Sequence, residues 1–298
     1  LGSISIGAPF FNQMFTLLIV PFVVFMTIGP ISRWKKQDVW ALRTQIIQGL
    51  GLGLGAAILI VFSFDTMSYL AILGMLLSVW VLISTVQEVL QRLSAQRKAL
   101  GAQSLSTSTA LRQLTRSHWG MILGHVGFAV SLIGITLVSN FETERNVRMD
   151  FGDEFVIAGY TIQFDKVIAI QGPNYTADRG IFDVYKNGEF VAHLEPEKRF
   201  YPVQSTNMTE AGIHSTLTRD LFVALGESLE EGIWSIRAYY KPFVVWIWLG
   251  AGIMALGGIC SIADPRYRLQ KIAKLKQRFN SKGKNGTGQS SAEDLANV

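Results

Sequence analysis

Long apolar runs alternate with polar segments along this chain, and they determine its expected architecture. Each run holds about twenty residues with almost no charge, which is long enough for a helix to cross a bilayer. The pattern predicts a polytopic α-helical membrane protein with about five transmembrane helices. The runs cover approximately residues 10–29, 45–64, 67–86, 119–138 and 242–262.

A different pattern fills residues 140–241, between the fourth and fifth runs. Aromatic and β-branched residues recur there with partial alternation, which is typical of strands that bury one face. The Asn187-Gly188 pair favours a type I′ hairpin turn, because both central residues of that turn need positive φ. We therefore expect a small antiparallel β barrel or sandwich of about six or seven strands, with His193 in a strand and His214 in a polar loop.

The charged residues are distributed unevenly, and this asymmetry indicates orientation. Two loops between the apolar runs and the C-terminal segment hold most of the 27 basic residues, whereas residues 140–241 hold most of the 22 acidic ones. Basic loops of membrane proteins remain in the cytoplasm, so the β domain is expected on the outer side of the membrane. The net charge of +5 then reflects orientation and does not indicate nucleic-acid binding.

These observations divide the chain into four parts. Residues 1–139 are expected to form transmembrane helices one to four with cytoplasmic loops, and residues 140–241 the outer β domain. Residues 242–263 form the fifth helix, and residues 264–298 a basic cytoplasmic tail with a disordered end. The single cysteine excludes an internal disulfide and a cysteine zinc cluster. Because the first residue is Leu1, we expect a fragment or one part of a larger protein.

His125 is the most informative residue of the sequence. It lies in the fourth run, about 9 Å along the helix from Trp119, among Gly120, Gly124 and Gly127. An ionisable side chain inside a membrane is costly and is by default a functional residue. The glycines leave the backbone bare, so a neighbouring helix or a flat ligand could approach closely. On the residues alone, His125 is either a haem or metal ligand or a residue that hydrogen-bonds between helices.

Four stretches, in this order, resemble the C-terminal part of the CcmF family, the haem lyase subunit of cytochrome c maturation, or its close nitrite-reductase-maturation paralogue. Together they extend over nearly the whole chain up to about Arg268. The order of the membrane spans, the external domain and the final span also agrees with that of the family. The stretches are SISIGAPFFN, SHWGMILGHVGFAVSLIGI, DLFVALGE and WSIRAYYKPFVVWIWLGAGIMALGGI.

The resemblance implies a component of a haem lyase in the bacterial inner membrane, with residues 140–241 forming a periplasmic β domain. Such a protein takes haem, its substrate, from a CcmE-like periplasmic chaperone and attaches it to the CxxCH motifs of apocytochrome c through thioether bonds. It also holds a b-type haem within the membrane, used in haem reduction, between two histidines. His125 matches one of these axial ligands of the haem iron, and Gly124 would lie against the haem or a neighbouring helix.

The rest of the family's site lies in its N-terminal part. That part supplies the second axial ligand, the external histidines for incoming haem and a tryptophan-rich segment, so this chain alone is expected to lack the full active site. No catalytic residue is assigned. The implied partners are the N-terminal half of the same family, a CcmE-like chaperone, a CcmH-like thiol protein, apocytochrome c, membrane lipid and a quinol as electron source.

The other histidines receive less specific interpretations. His118 is seven residues before His125 and therefore shares its helix face. We predict an interfacial anchor there, with a contact to a haem propionate or a quinone as the alternative. His193 and His214 are interpreted as ordinary residues of the β domain.

Two other functions remain open at this point. The chain could belong to a membrane transporter that exports haem, although it lacks a nucleotide-binding loop and paired interrupted spans. It could also be a non-catalytic assembly scaffold whose external domain only binds partners. His125 would then be structural.

Overall fold

The computed structural model describes residues 7–32, 39–62, 66–99, 106–230 and 232–266. Within these ranges, five helices are long and apolar enough to cross a membrane, as the apolar runs predicted. A sixth helix, α4, is short and connects two of them. Most of the predicted basic tail lies outside the described residues. The helices are α1 (Ala8–Ile28), α2 (Val39–Phe62), α3 (Tyr69–Ala99), α4 (Thr107–Arg112), α5 (Arg116–Phe141) and α6 (Val244–Ile262).

Helix α3 continues well past residue 86, where the apolar run ends. The run ends where charges begin, but a helix needs no apolar side chains once it leaves the hydrocarbon layer. Glu88 and Arg92 form an i,i+4 ion pair of 3.1 Å in this extension, and such pairs stabilise a helix. The loop expected after residue 86 is therefore partly helical.

Helices α3 and α5 are the central pair of the bundle. Helix α5 packs against both α6 and α3, and α3 also contacts α1 and α2. A small apolar core joins them around Trp80, Val81 and Ala129. Helices α1 and α2 leave most of their apolar side chains exposed, which suits contact with lipid.

Helices α5 and α6 pack closely against each other where both have glycine residues. A Cβ atom at Gly127 would lie 2.6 Å from the carbonyl oxygen of Gly250, and one at Gly257 would lie 2.7 Å from that of Gly120. Real side chains do not tolerate such distances, so only glycine allows the two backbones to come this close. The Ser131 hydroxyl adds a hydrogen bond of 3.0 Å to the Ile247 carbonyl.

The segment between α5 and α6 is an antiparallel β-sandwich. One sheet has the strand order β1-β10-β9-β8, and the other has the order β2-β3-β4-β6-β7 with β5 also paired to β4. The strands are β1 (Thr143–Met149), β2 (Glu154–Ile157), β3 (Tyr160–Gln171), β4 (Thr176–Lys186), β5 (Glu189–Leu194), β6 (Glu197–Tyr201), β7 (Thr206–Glu210), β8 (Gly212–Ser215), β9 (Arg219–Glu230) and β10 (Ile233–Pro242).

The sandwich core consists of side chains that alternate along the strands. Phe164 of β3 and Phe182 of β4 are fully buried, and their rings stack with centroids 4.7 Å apart. Leu221, Val223 and Leu225 of β9 face them from the other sheet and are also fully buried. The antiparallel β fold predicted from the sequence is confirmed, and of the two predicted forms it is the sandwich.

Two details of the sandwich can be compared with the sequence predictions. The β4–β5 hairpin turns at Asn187 and Gly188, whose φ angles of 52° and 82° have the sign that a type I′ turn requires. The predicted number of six or seven strands was too low, because ten strands are present in the described residues. The short strand β8 holds His214, so its placement in a loop was wrong, whereas His193 lies in β5 as predicted.

The β domain continues directly from the helices. Helix α5 ends at Phe141 and β1 begins at Thr143, while β10 ends at Pro242 and α6 begins at Val244. Strands β1 and β10 pair with Thr143 opposite Tyr240. The pairing of these two strands therefore places α5 beside α6.

Candidate functional site

The ring of His125 is oriented by its own helix. His125 lies in α5 and is half-buried, and its Nδ1 atom is 2.8 Å from the carbonyl oxygen of Met121. A carbonyl only accepts hydrogen bonds, so Nδ1 must carry the proton and donate it. The lone pair is then on Nε2, on the side of the ring directed away from its own helix backbone. This is the tautomer that histidine uses to bind a metal through Nε2.

Gly124, which precedes His125 in the helix, leaves open space at the surface of α5. A Cβ atom at Gly124 would have no other atom within 4 Å, in contrast to Gly120 and Gly127, which face α6. The glycines around His125 thus have two functions that the sequence could not separate. Two of them allow close contact with α6, and Gly124 leaves an open surface that a flat ligand could cover.

The described residues do not form a protein-only metal site around His125. No group of three or more His, Cys, Asp or Glu residues within them could hold a metal ion. The residues present fit a haem iron that takes one axial ligand from this chain, because a single imidazole with a fixed tautomer is sufficient for that purpose. A protein-only metal site would require more donors.

The sequence predicted an interfacial position for His118, but its side chain is only 3% exposed and faces α3. The His118 Nε2 atom lies 3.1 Å from Glu88 Oε2. The two atoms are not aligned as a hydrogen bond, and neither has a hydrogen-bond partner among the described residues. Sequence reasoning did not select Glu88. The available signal was that Glu88 is the sole acidic residue within the five candidate spans.

A carboxylate at the end of α6 is hydrogen-bonded to the beginning of α5. Asp264 accepts hydrogen bonds from the backbone N–H groups of Ser117, at 2.8 Å, and Arg266, at 3.0 Å. The hydrogen bonds from Arg266 and Ser117 lower the pKa of Asp264, because they stabilise the ionised form. Asp264 thus holds the ends of α5 and α6 together on the side opposite the β domain.

The lowered pKa of Asp264 predicts an acid-sensitive contact. An aspartate with a depressed pKa stabilises the fold above its unfolded value of about 3.9, and this contribution is lost as the pH falls through the folded pKa. We expect Asp264→Asn to reduce the hydrogen-exchange protection of Ser117 at neutral pH, after correction for intrinsic rates, because an amide has only one acceptor oxygen. Wild type should lose the same protection only at acid pH.

A matched control for this variant is Asp165→Asn, because Asp165 is an exposed carboxylate that pairs with Lys166 in the β domain. This substitution should leave the exchange of Ser117 unchanged. Equal protection of Ser117 in wild type and Asp264→Asn at neutral pH would show that the carboxylate does not hold the helix ends.

The histidines of the β domain have local partners. His193 is 64% exposed and pairs with Asp183. His214 Nδ1 accepts a hydrogen bond of 2.7 Å from the buried Arg219, which also donates to the Tyr160 hydroxyl. Burial lowers the pKa of His214, and the Arg219 guanidinium lowers it further. Both contacts fit the prediction that these are ordinary domain residues.

Comparisons with known proteins agree on one family. The family model described as CcmF C-terminal beta-sandwich matches residues 140–242. The cytochrome c-type biogenesis protein CcmF of Haemophilus influenzae is 41% identical over 275 residues, which are 92% of this chain and 41% of the relative. CcmF of Escherichia coli is 39% identical over 269 residues, covering 90% of this chain and 39% of the relative.

A solved structure has the same fold. It is named Cytochrome c Heme Lyase CcmF, and it superimposes with a TM-score of 0.65 at 20% sequence identity, over 86% of this chain and 41% of that one. The chain spans about two fifths of the length of the curated relatives that it matches. With its five candidate spans and its β-sandwich, the chain is a multi-pass membrane protein that belongs to the CcmF family of cytochrome c-type biogenesis proteins.

Proposed function

We propose that this chain is the C-terminal part of a cytochrome c haem lyase. The complete enzyme takes haem from a CcmE-like chaperone and attaches it covalently to the CxxCH motifs of apocytochrome c. The observation that carries the proposal is the geometry at His125, where Nδ1 donates to the Met121 carbonyl and the lone pair is therefore on Nε2. The family membership supplies the class of reaction.

His125 would be one of the two residues that hold a b-type haem within the membrane. Its Nε2 atom would hold the iron, and the carbonyl of Met121 would keep the ring in the required tautomer. Gly124 would leave room for the flat macrocycle, and the close contact between α5 and α6 would fix the position of the helix. When bound, this haem supplies electrons that keep the substrate haem ferrous, the state needed for thioether formation.

The remaining parts of the enzyme come from outside this chain. The second axial ligand belongs to the N-terminal part of the family, which would pack against the exposed faces of the helices. The distribution of basic loops supports a position of the β-sandwich on the periplasmic side of a bacterial inner membrane. There it would contact the CcmE-like chaperone, a CcmH-like thiol protein or apocytochrome c. The electron donor would be a quinol dissolved in the lipid.

Optical spectra test the proposal directly. The protein is purified from membranes with its N-terminal part, and oxidised and dithionite-reduced spectra are compared for wild type, His125→Ala and His125→Gly. We expect the b-type haem bands of wild type to be lost or displaced in both variants, because the iron loses an axial imidazole. In cells that depend on the variants, covalent haem staining should show no mature c-type cytochromes.

Added imidazole provides a sharper test. Free imidazole can enter the space left in His125→Gly and restore the spectrum, which it would do only at a position where the missing side chain was a ligand. His193→Ala is the matched control, because this exposed imidazole should leave the spectrum unchanged. Identical spectra in wild type and His125→Ala, with normal cytochrome maturation, would favour a scaffold in which His125 only hydrogen-bonds within its helix.

A further inference from the structure

Several buried polar atoms form a band between α2, α3 and α5. The atoms have no hydrogen-bond partner in the part of the chain that the structure describes, although such groups are costly to bury away from water. They are Gln45 Oε1, Ser84 Oγ, Gln87 Oε1, Glu88 Oε2 and His118 Nε2.

These atoms are close to one another because of helix geometry. Ser84, Gln87 and Glu88 are spaced i, i+3 and i+4 and therefore share one face of α3. Gln87 reaches toward α2, since its Oε1 atom would lie 3.4 Å from a Cβ at Gly49. Gln45 is one turn before Gly49 on the same helix face. The band thus continues from α2 across α3 to the Glu88–His118 contact with α5.

Glu88 and His118 are the titratable members of this band. Their side chains are only 8% and 3% exposed, and their facing atoms are 3.1 Å apart. The half-exposed Arg92 neutralises the Glu88 carboxylate through an ion pair of 3.1 Å. From the adjoining ends of α5 and α6, the charged groups nearby are Arg116 and Asp264, which bond to Ala263 and Ser117 respectively.

This arrangement suits the binding of one proton. A carboxylate and an imidazole in contact share a proton readily, and either group alone would carry an unfavourable charge in this environment. Unpartnered amide and hydroxyl oxygens next to them are suitable partners for ordered water. Water in the band would connect the pair with the solvent near Arg92, at the end of the bundle remote from the β domain.

The pair is also close to the predicted haem ligand. His118 and His125 are seven residues apart on one helix face, which corresponds to about 10 Å along the axis. Charges at this separation interact appreciably in a protein interior, where the effective dielectric constant is far below that of water.

We propose that Glu88 and His118 form a proton-binding site that takes up one proton when the haem held by His125 is reduced. The inference rests on the proposed function of His125. Reduction would transfer one electron from a membrane hydroquinone, which would become a semiquinone and release one proton, and the pair would take up one proton from the adjacent aqueous phase. The net charge of the region is then unchanged by reduction, which makes reduction easier at low pH.

The test is the pH dependence of the haem midpoint potential. The potential is measured by spectroelectrochemical titration of the purified protein with its N-terminal part, between about pH 6 and 8. Wild type should show a potential that falls with rising pH, by up to about 59 mV per pH unit for one proton per electron, because 59 mV equals a tenfold change for one electron. Glu88→Gln should flatten this slope while keeping the haem bands.

Two further variants make the result specific. His118→Gln should flatten the slope in the same way and replaces Glu88→Gln if that protein fails to fold. Glu142→Gln is the matched control, because Glu142 forms a 3.0 Å ion pair with Lys241 at the other end of α5. It should keep the wild-type slope. An equal slope in wild type and Glu88→Gln would overturn the proposal.

Infrared spectroscopy separates this proposal from the proposed function. A pH jump should produce a carboxyl or imidazole difference signal in wild type that is lost in Glu88→Gln and retained in His125→Ala. If His125→Ala retains the signal and wild type binds no haem, the coupling to haem is overturned and the proton site stands. If wild type binds haem but shows no such signal, the proton site is overturned and the haem proposal stands.

Discussion

Replacing Gly257 with alanine is expected to destabilise the protein strongly, although alanine is the better helix former. The added Cβ would lie 2.7 Å from the Gly120 carbonyl oxygen and 2.9 Å from the Gly124 backbone nitrogen. Both atoms belong to a helix backbone, which cannot move aside as a flexible side chain can. Helices α5 and α6 would have to separate, and overpacking of this kind costs up to about 3 kcal/mol.

Gly258→Ala is the matched control for this prediction. Gly258 is the next residue of the same helix, and a Cβ there would have no atom within 4 Å. Both substitutions gain about 1 kcal/mol in helix propensity, so any difference between them reports packing alone. Thermal unfolding in detergent should show a lower midpoint for Gly257→Ala and an equal or higher one for Gly258→Ala. Equal midpoints for the two variants would contradict the close contact between α5 and α6.

Phe182→Ala is expected to cost about 3–5 kcal/mol in the stability of the β-sandwich, the usual range for deleting a buried phenylalanine ring. Phe182 is fully buried and stacked on Phe164, so its removal leaves a cavity between the two sheets. The measurement is hydrogen exchange of the amides of β3 and β4 in the intact protein. Their protection should fall by several orders of magnitude, since 1.4 kcal/mol is a factor of ten.

The control for the core is Phe190→Ala. Phe190 is 52% exposed on β5, where it touches Tyr185 and His193 at the surface. Surface substitutions usually change stability by less than about 0.5 kcal/mol. Protection in β3 and β4 should therefore remain near that of wild type. A similar loss in both variants would show that the Phe164–Phe182 pair is not the centre of the core.

The sequence predicted the parts of the fold that depend on local patterns. The five spans follow from runs of apolar residues, and the β4–β5 hairpin follows from Asn187-Gly188, because the turn geometry is encoded in two residues. The prediction of a loop at His214 was wrong because no local pattern encodes the strand that contains it. Strand β8 has only four residues, and its pairing with β9 is a long-range contact that four residues cannot signal.

The site was predictable in part. His125 could be selected because an ionisable residue in an apolar run is conspicuous. The orientation of its ring and the different environments of Gly120 and Gly124 depend on where α6 lies, and no local pattern gives that. Glu88 and His118 are thirty residues apart and meet only because α3 and α5 pack together. Their contact is a property of the tertiary structure.

The direct continuation of β1 and β10 into α5 and α6 couples the sandwich mechanically to these two helices. Only Glu142 and Phe243 separate strands from helices, and Glu142 is bound to Lys241 across the joint. A protein that pulls on the sandwich would therefore load α5 and α6 together, because both helices continue from the same pair of strands.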